Sequence, residues 1–336
     1  MVDKVQVVKI SVVIPNFNKE QYLSETLDSL LNQEFEEWEA IVVDDGSTDS
    51  SVSIIQKYVQ KDQRIKFFYR NRNPKGASVC RNIGIEKALG EYIIFLDSDD
   101  ILTSQALKQR IKLMKIYHYK VDFLVFPVGH FYKKIGDCSM VQIAEDKNNH
   151  VVQFLSYNYQ WHTSSPIWKK DFLYRLDMFD EEYPRLQDIE LHTRALLYEN
   201  VQYKIISTQE IDFYYRIDEN RTLQNPLEKS KNYIEGNKLF LNKMYLIIKN
   251  KYDEKIYYDA LKNLFYKMMY YVMNQDINMS KKLLMIKQII KFDIFSKIMT
   301  WQDKIRFYYL FLRRVLGVRK KLRMMKQFLW KEKTYV

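Results

Sequence analysis

Through its first hundred residues the chain switches repeatedly between two hydrophobic periods, and few folds accommodate that alternation. Lys9-Ile10-Ser11-Val12-Val13-Ile14-Pro15 is a β-branched apolar run closed by a Pro-Asn break, the composition of a strand buried on both faces. Tyr22, Leu23, Leu27, Leu30 and Leu31 then recur at helical spacing. Ala40-Ile41-Val42-Val43 reads as a second strand, stopped by Asp44-Asp45-Gly46-Ser47. Ser47, Thr48 and Asp49 can cap the next helix, which carries Val52, Ile55, Tyr58 and Val59 inward. The pattern predicts a third strand over 64–69, a third helix over 77–89 and a fourth strand over 92–96. Strand and helix alternating on short links imply an α/β protein with a mostly parallel sheet covered on both faces. Ligands of such sheets sit at the carboxyl ends of the strands, so polar groups gathered there are candidates for chemistry.

Several chemistries are disfavoured at once. The eight glycines include no G-x-G-x-x-G and no G-x-x-x-x-G-K-[ST], which argues against a dinucleotide site and a P-loop. Two cysteines, Cys80 and Cys138, cannot build a disulfide framework or a four-cysteine zinc site, and they point to a reducing, cytoplasmic compartment. His118, His130, His150, His162 and His192 show no zinc-ligand spacing. No signal-peptide pattern opens the sequence, and no apolar run is long enough to span a bilayer, so a soluble or peripheral protein is expected.

Beyond a further strand at 121–127, residues 129–165 are polar and aromatic without a sustained period. Helical patterns return at 168–176 and 188–198, with short strands near 203–206 and 212–216. From about Leu227 the chain is almost all helix-favouring. The charge shifts with it: residues 231–336 hold 24 Lys/Arg against 8 Asp/Glu, whereas the first 230 residues hold 29 against 34. A mildly acidic body therefore carries a basic helical extension.

The second strand ends at Asp44-Asp45 and the fourth at Asp97-Ser98-Asp99-Asp100. In an extended chain Asp97 and Asp99 fall on one side, where two carboxylates suit a hard divalent cation that also holds substrate phosphates. The alternative is a plain strand-to-helix turn.

The segments Ser11-Val12-Val13-Ile14-Pro15-Asn16-Phe17-Asn18-Lys19 and Val43-Asp44-Asp45-Gly46-Ser47-Thr48-Asp49 resemble the opening of family 2 glycosyltransferases. Asn73-Pro74-Lys75-Gly76-Ala77-Ser78 with Arg81-Asn82, then Gly90 through Asp100, continue the likeness in the same order, and it extends loosely to about residue 216. The resemblance implies a GT-A fold over residues 1–226, with a nucleotide-sugar part at 1–128 and an acceptor part at 129–226. The basic helical region at 227–336 follows it. It implies a nucleotide-diphosphate sugar donor, a UDP-sugar first of all, contacted by Pro15, Asn18, Asp45, Arg81, Asp97 and Ser98. Mn²⁺ or Mg²⁺ would be held by Asp97 and Asp99, and a sugar would be added to a glycan or lipid-linked glycan of a bacterial-type surface polysaccharide.

An inverting transfer needs a carboxylate to take the proton of the attacking hydroxyl. The family supplies it from a Glu-Asp pair that opens a helix. Here Gln187-Asp188 occupies the place, making Asp188 the expected base, with N-capping as its other reading. Trp161 and His162 are candidates for acceptor contact, and Arg216 corresponds to a late element that can close over the diphosphate. The Q-x-x-R-W signature of processive synthases is absent.

Residues 281–336 carry 16 basic against 3 acidic side chains among bulky apolar ones. That composition predicts contact with an anionic membrane surface, at the inner face of the cell membrane, or else a bundle whose charges are merely solvated. A nucleic-acid partner is not expected, since no recognised module is present. The rival to an enzyme is a non-catalytic GT-A protein that binds membrane or nucleic acid through this region.

Overall fold

Residues 9–117, 119–146, 149–207, 210–217, 225–252 and 254–315 are described by a computed structural model. It forms two compact units, one of Met1–Phe154 with Asn158–Leu223 and one of Leu155–Tyr157 with Gln224–Val336.

The first unit runs β1 (Ile10–Asn16), α1 (Leu23–Leu31), β2 (Trp38–Asp44), α2 (Ser51–Lys61), β3 (Ile65–Tyr69), α3 (Ala77–Lys87), β4 (Tyr92–Phe95), β5 (Ile101–Leu102) and α4 (Ala106–Ile116). It continues with β6 (Phe123–Val125), β7 (Val128–Phe131), β8 (Val141–Gln142), α5 (His150–Leu155), β9 (Pro166–Lys169), α6 (Lys170–Arg175), α7 (Gln187–Leu196), β10 (Tyr203–Ile205) and β11 (Phe213–Arg216). Seven strands form the main sheet in the order β10-β6-β9-β4-β1-β2-β3, and a smaller sheet runs β5-β11-β7-β8. β1 is parallel to both β2 and β4, so the strand order reverses at β1 and opens a crevice at its carboxyl end.

Alternation along β1 decides what packs on each face. Ile10, Val12 and Ile14 join Leu23, Leu27 and Leu30 of α1 in the core. Val13 points to the opposite face, where a Cβ added to Gly84 of α3 would lie 2.2 Å from its Cγ1. The missing side chain lets α3 settle close on β1, and residues 81 and 82 are carried with it to the edge of the crevice.

Three expectations change. Trp168 belongs to β9 rather than to a helix, and β9 lies antiparallel between β4 and β6, so the sheet is mixed. Residues 129–165 contain β7, β8 and α5, elements too short to show a period. Ser47 does not cap α2; its hydroxyl accepts from the Asn18 N–H at 2.9 Å, while Asp49 accepts from the Ser51 N–H at 3.0 Å.

The second unit contains α8 (Pro226–Lys251), α9 (Lys255–Asn274), α10 (Met279–Ile290), α11 (Asp293–Ile298) and α12 (Trp301–Val315). Asn225 caps α8 through the Leu227 N–H with Pro226 in the first turn, and Asn278 caps α10 through the Lys281 N–H. α9 packs against α8, α10, α11 and α12, burying Leu264, Phe265 and Met268 with Phe240, Ile286, Phe295 and Phe307. No helix among the described residues is long and apolar enough to cross a membrane. The part of the basic cluster beyond residue 315 lies outside the described residues.

Candidate active site

Parallel register sets Asn16 beside Asp44 at the carboxyl ends of β1 and β2, where the Asn16 Nδ2 donates to Asp44 Oδ1 at 2.8 Å. Asp44 also accepts from the N–H groups of Gly46 (2.9 Å) and Ser47 (2.8 Å). Of the acidic pair, Asp44 therefore builds the turn, and Asp45 is left to face Arg70 at the end of β3. Pro15 lies in β1 opposite Val43. Asn18, at φ 50°, accepts from the Thr48 N–H at 2.8 Å and so joins the two loops. Burial, with Asp45 adding to it, pushes the Cys80 thiol up to about 12, which removes it as a nucleophile.

Arg81 comes into the crevice from α3, buried to 4% exposure. Its Nη2 donates to Asp97 Oδ1 at 2.7 Å, while Nε and Nη1 are buried without a protein partner. Such spare donors on a buried cation are costly unless something else satisfies them. Asp97 through Asp100 are not extended: the Asp100 N–H donates to the Asp97 carbonyl at 3.0 Å and closes a turn. The two aspartates expected to share one side thus meet different cations, Asp97 with Arg81 and Asp99 with Lys19. Ser98 is buried within the turn. Asp100 is buried too; desolvation first, then the charges of Asp99 and Asp97, raise its pKa well above the usual carboxylate range.

Arg216 is 3% exposed, with its N–H on Asp100 Oδ1 (2.9 Å), its Nε on the Asp99 carbonyl (2.9 Å) and its Nη2 on Glu25 (2.6 Å). Sandwiched over the rings of Tyr22 and Phe131, it braces the 97–100 turn.

Asp188 is the second residue of α7, and its Oδ1 accepts from the Ile189 N–H at 2.9 Å; the capping position belongs to Leu186. Leu186 has φ 70°, a strained conformation for a bulky residue, immediately before the expected base. The loop leading there is clamped by α3. Asn82 donates to the Phe179 carbonyl (2.8 Å) and to Glu181 Oε1 (2.9 Å), and accepts from the Phe179 N–H (2.9 Å). Arg72 holds Glu181 and Glu86 together, each at 2.8 Å. From the other side Arg194 pairs with Glu190 and donates to the carbonyls of Leu176 and Met178. Burial raises the pKa of Asp188; the Ile189 N–H and the Arg81 charge oppose the rise, and the Asp97 charge adds to it. Asp188, Arg81 and Asp97 therefore share one electrostatic environment.

Trp161 is 2% exposed, and its ring packs among His150, Phe154 and His192. His162 is half-buried against Tyr215 and His130. His192, one turn after Asp188, is enclosed beside Trp168, and burial lowers its pKa to about 3, with the Arg81 charge helping. Asn82, Lys19 and Arg72 stand inside or beside the resembling segments, but only the fold reveals what they hold.

The profile of glycosyl transferase family 2 matches residues 11–182, just over half of the chain. An uncharacterized glycosyltransferase of Haemophilus influenzae is 44% identical over 109 residues, 32% of this chain and 43% of that protein. A poly(ribitol-phosphate) beta-glucosyltransferase of Bacillus spizizenii is 48% identical over 101 residues, 30% of this chain and 16% of that protein. The chain thus spans less than half the length of these relatives. Among solved structures, S. aureus TarS in complex with UDP superposes with a TM-score of 0.63 at 21% identity, covering 98% of this chain and 94% of that one. The mannosyltransferase PcManGT from Pyrobaculum calidifontis, in complex with GDP-Man and Mn²⁺, gives 0.50 at 13% identity, covering 96% and 88%. These likenesses show a shared fold, and with the profile match they establish that the chain is a member of glycosyl transferase family 2 with the GT-A fold.

Proposed function

We propose that the chain is an inverting glycosyltransferase that moves a hexosyl or N-acetylhexosaminyl group from a nucleotide-diphosphate sugar, a UDP-sugar first of all, to a glycan or lipid-linked glycan hydroxyl in surface polysaccharide synthesis. The carrying observation is Arg81, a buried guanidinium with two spare donors beside Asp97, acting electrostatically on Asp188. Anionic oxygens of a diphosphate would satisfy those donors with charge-assisted hydrogen bonds. Pro15, Asn18, Asp45, Asp97 and Ser98, at or just beyond the carboxyl ends of β1, β2 and β4, would form the donor side, and 129–226 would supply the acceptor side.

In this reading the acceptor oxygen forms a bond to the anomeric carbon, the bond from that carbon to the diphosphate oxygen breaks, and the hydroxyl proton passes to Asp188. A carboxylate whose proton affinity is raised by burial is a better base than an exposed one. Arg81 faces the charge that grows on the leaving diphosphate. Asp97 and Asp99 are hard oxygen donors in one turn and would hold Mn²⁺ or Mg²⁺ once Lys19 gives up Asp99 and Asp97 turns an oxygen away from Arg81. Among the described residues no group of three His, Cys, Asp or Glu could hold a metal, so diphosphate oxygens and water would complete the shell. Such a cation, when bound, supplies neutralisation of the departing diphosphate.

A non-catalytic binding protein has no use for a buried carboxyl beside a guanidinium with spare donors, so the enzyme is the better reading. Incubation with UDP-glucose, UDP-N-acetylglucosamine and GDP-mannose, with Mn²⁺ or with chelator, tests it. Donor-dependent product that falls with chelator is expected; absence of both product and thermal stabilisation by any donor would overturn it.

Peripheral contact with an anionic membrane is the second proposal. On α10 and α12, Leu284, Trp301 and Leu312 are 60%, 76% and 52% exposed, and α12 also carries Lys304, Arg306, Arg313 and Arg314. Co-sedimentation with phosphatidylglycerol vesicles should weaken in Trp301→Ser; equal sedimentation of both proteins argues against membrane contact.

A further inference from the structure

The helical unit contains an open groove of about 560 Å³ lined by Tyr245 and Lys249 of α8, Lys255, Tyr258, Asp259 and Lys262 of α9, and Lys297 and Ile298 of α11. The α9 residues fall at i, i+3, i+4 and i+7, so one face of that helix forms a wall. Lys262 is neutralised by Asp259 (3.0 Å) and Asp303 (3.1 Å). Lys249, Lys255 and Lys297 pair with no carboxylate among the described residues, which leaves three ammonium groups around one space. Three separate helices deliver them, so no single amphipathic face explains the convergence.

Glu254 at the N-cap of α9 makes no side-chain cap, and its carboxylate offsets part of the positive charge, about half a unit, at the helix N-terminus, so the three lysines alone supply the positive potential. The volume falls within the range of small-molecule sites and exceeds what a bare phosphate needs. Tyr245 and Tyr258, with ring centroids 6.0 Å apart, present aromatic surface to a polyol or sugar.

We infer that this groove binds a phosphate-bearing sugar or polyol unit, as in a phosphorylated glycan, at a site separate from the donor crevice. Three ammonium groups converging from three helices favour a discrete phosphate ester over a flat lipid surface. Binding here does not rest on the proposed transfer reaction, and it is measured without turnover.

The test is lysine acylation followed by peptide mass spectrometry on the full chain, at constant ionic strength, with glucose 1-phosphate as probe. Glucose and phosphatidylglycerol vesicles are the comparison arms. Glucose 1-phosphate should protect Lys249, Lys255 and Lys297 while leaving exposed Lys108 unchanged, and glucose should protect none. Lys249→Gln/Lys297→Gln, both at exposed positions, should raise the half-protection concentration for Lys255 about tenfold or more. Donor-induced thermal stabilisation should be retained. Protection by vesicles alone, by glucose equally, or by no probe overturns the inference, as does unchanged protection in the double variant.

Discussion

Replacing Asn82 by alanine should damage the site from a distance, and the structure gives a magnitude. The carboxamide makes three hydrogen bonds to the 179–181 loop, two of them pairing the N–H and carbonyl of the buried Phe179. Ordinary hydrogen bonds contribute about 1 kcal/mol each, and a buried backbone group left unpaired costs about 1–3 kcal/mol. A loss of about 2–4 kcal/mol is expected, short of the full sum because the loop can relax and admit water. Asn82→Asp is the sharper probe: it keeps the shape and an acceptor for the Phe179 N–H, loses both donations and places a carboxylate against Glu181. Urea unfolding followed by circular dichroism measures the change, with the slope checked for constancy. Because the clamped loop runs into α7, turnover should fall further than UDP affinity. A loss below about 1 kcal/mol with unchanged turnover would refute the clamp.

Gly84→Ala should destabilise by about 1–3 kcal/mol, since the new methyl meets Val13 at 2.2 Å; stability within error of wild type would remove the close-packing argument for α3. His192 titrates at about 3 in the folded protein and near 6.5 when unfolded, so the unfolded chain gains a proton first as pH falls. Stability contributed by the neutral ring is complete above about pH 6.5 and declines from there toward pH 3, by up to about 1.4 kcal/mol per pH unit. His192→Phe should flatten that decline in unfolding measured between pH 7 and 4, and parallel curves would contradict it. Asp188 and Asp100 act in the opposite sense: with raised folded pKa values they cost stability as pH rises through them, so a difference between variants is the quantity to compare.

The sheet was legible where runs were long and their ends chemically marked. β1, β2 and β4 stand out because each is a run buried along almost its whole length. β9 was hidden because its four residues run directly into α6, and a strand that short has no period of its own. β7 contains Gly129, a poor strand residue, explained by Tyr214 of β11 lying 2.5 Å from where a Cβ would stand. At the site, the carboxylates at strand ends could be read from position alone. Their partners could not: Asp97 with Arg81, Asp99 with Lys19 and Asp45 with Arg70 are tertiary pairings. The burial of Trp161 and Arg216 was not legible for the same reason, since a Trp or Arg in a motif looks identical in sequence whether it is exposed or enclosed.

The central claim is that Asp188 accepts the proton of the attacking hydroxyl. Asp188→Asn keeps the side-chain shape and the Oδ1 that accepts from Ile189, so fold and donor affinity should persist. Steady-state transfer should drop by about 10²–10⁴-fold with UDP binding within twofold of wild type. Wild-type turnover in a folded Asp188→Asn protein would contradict the account.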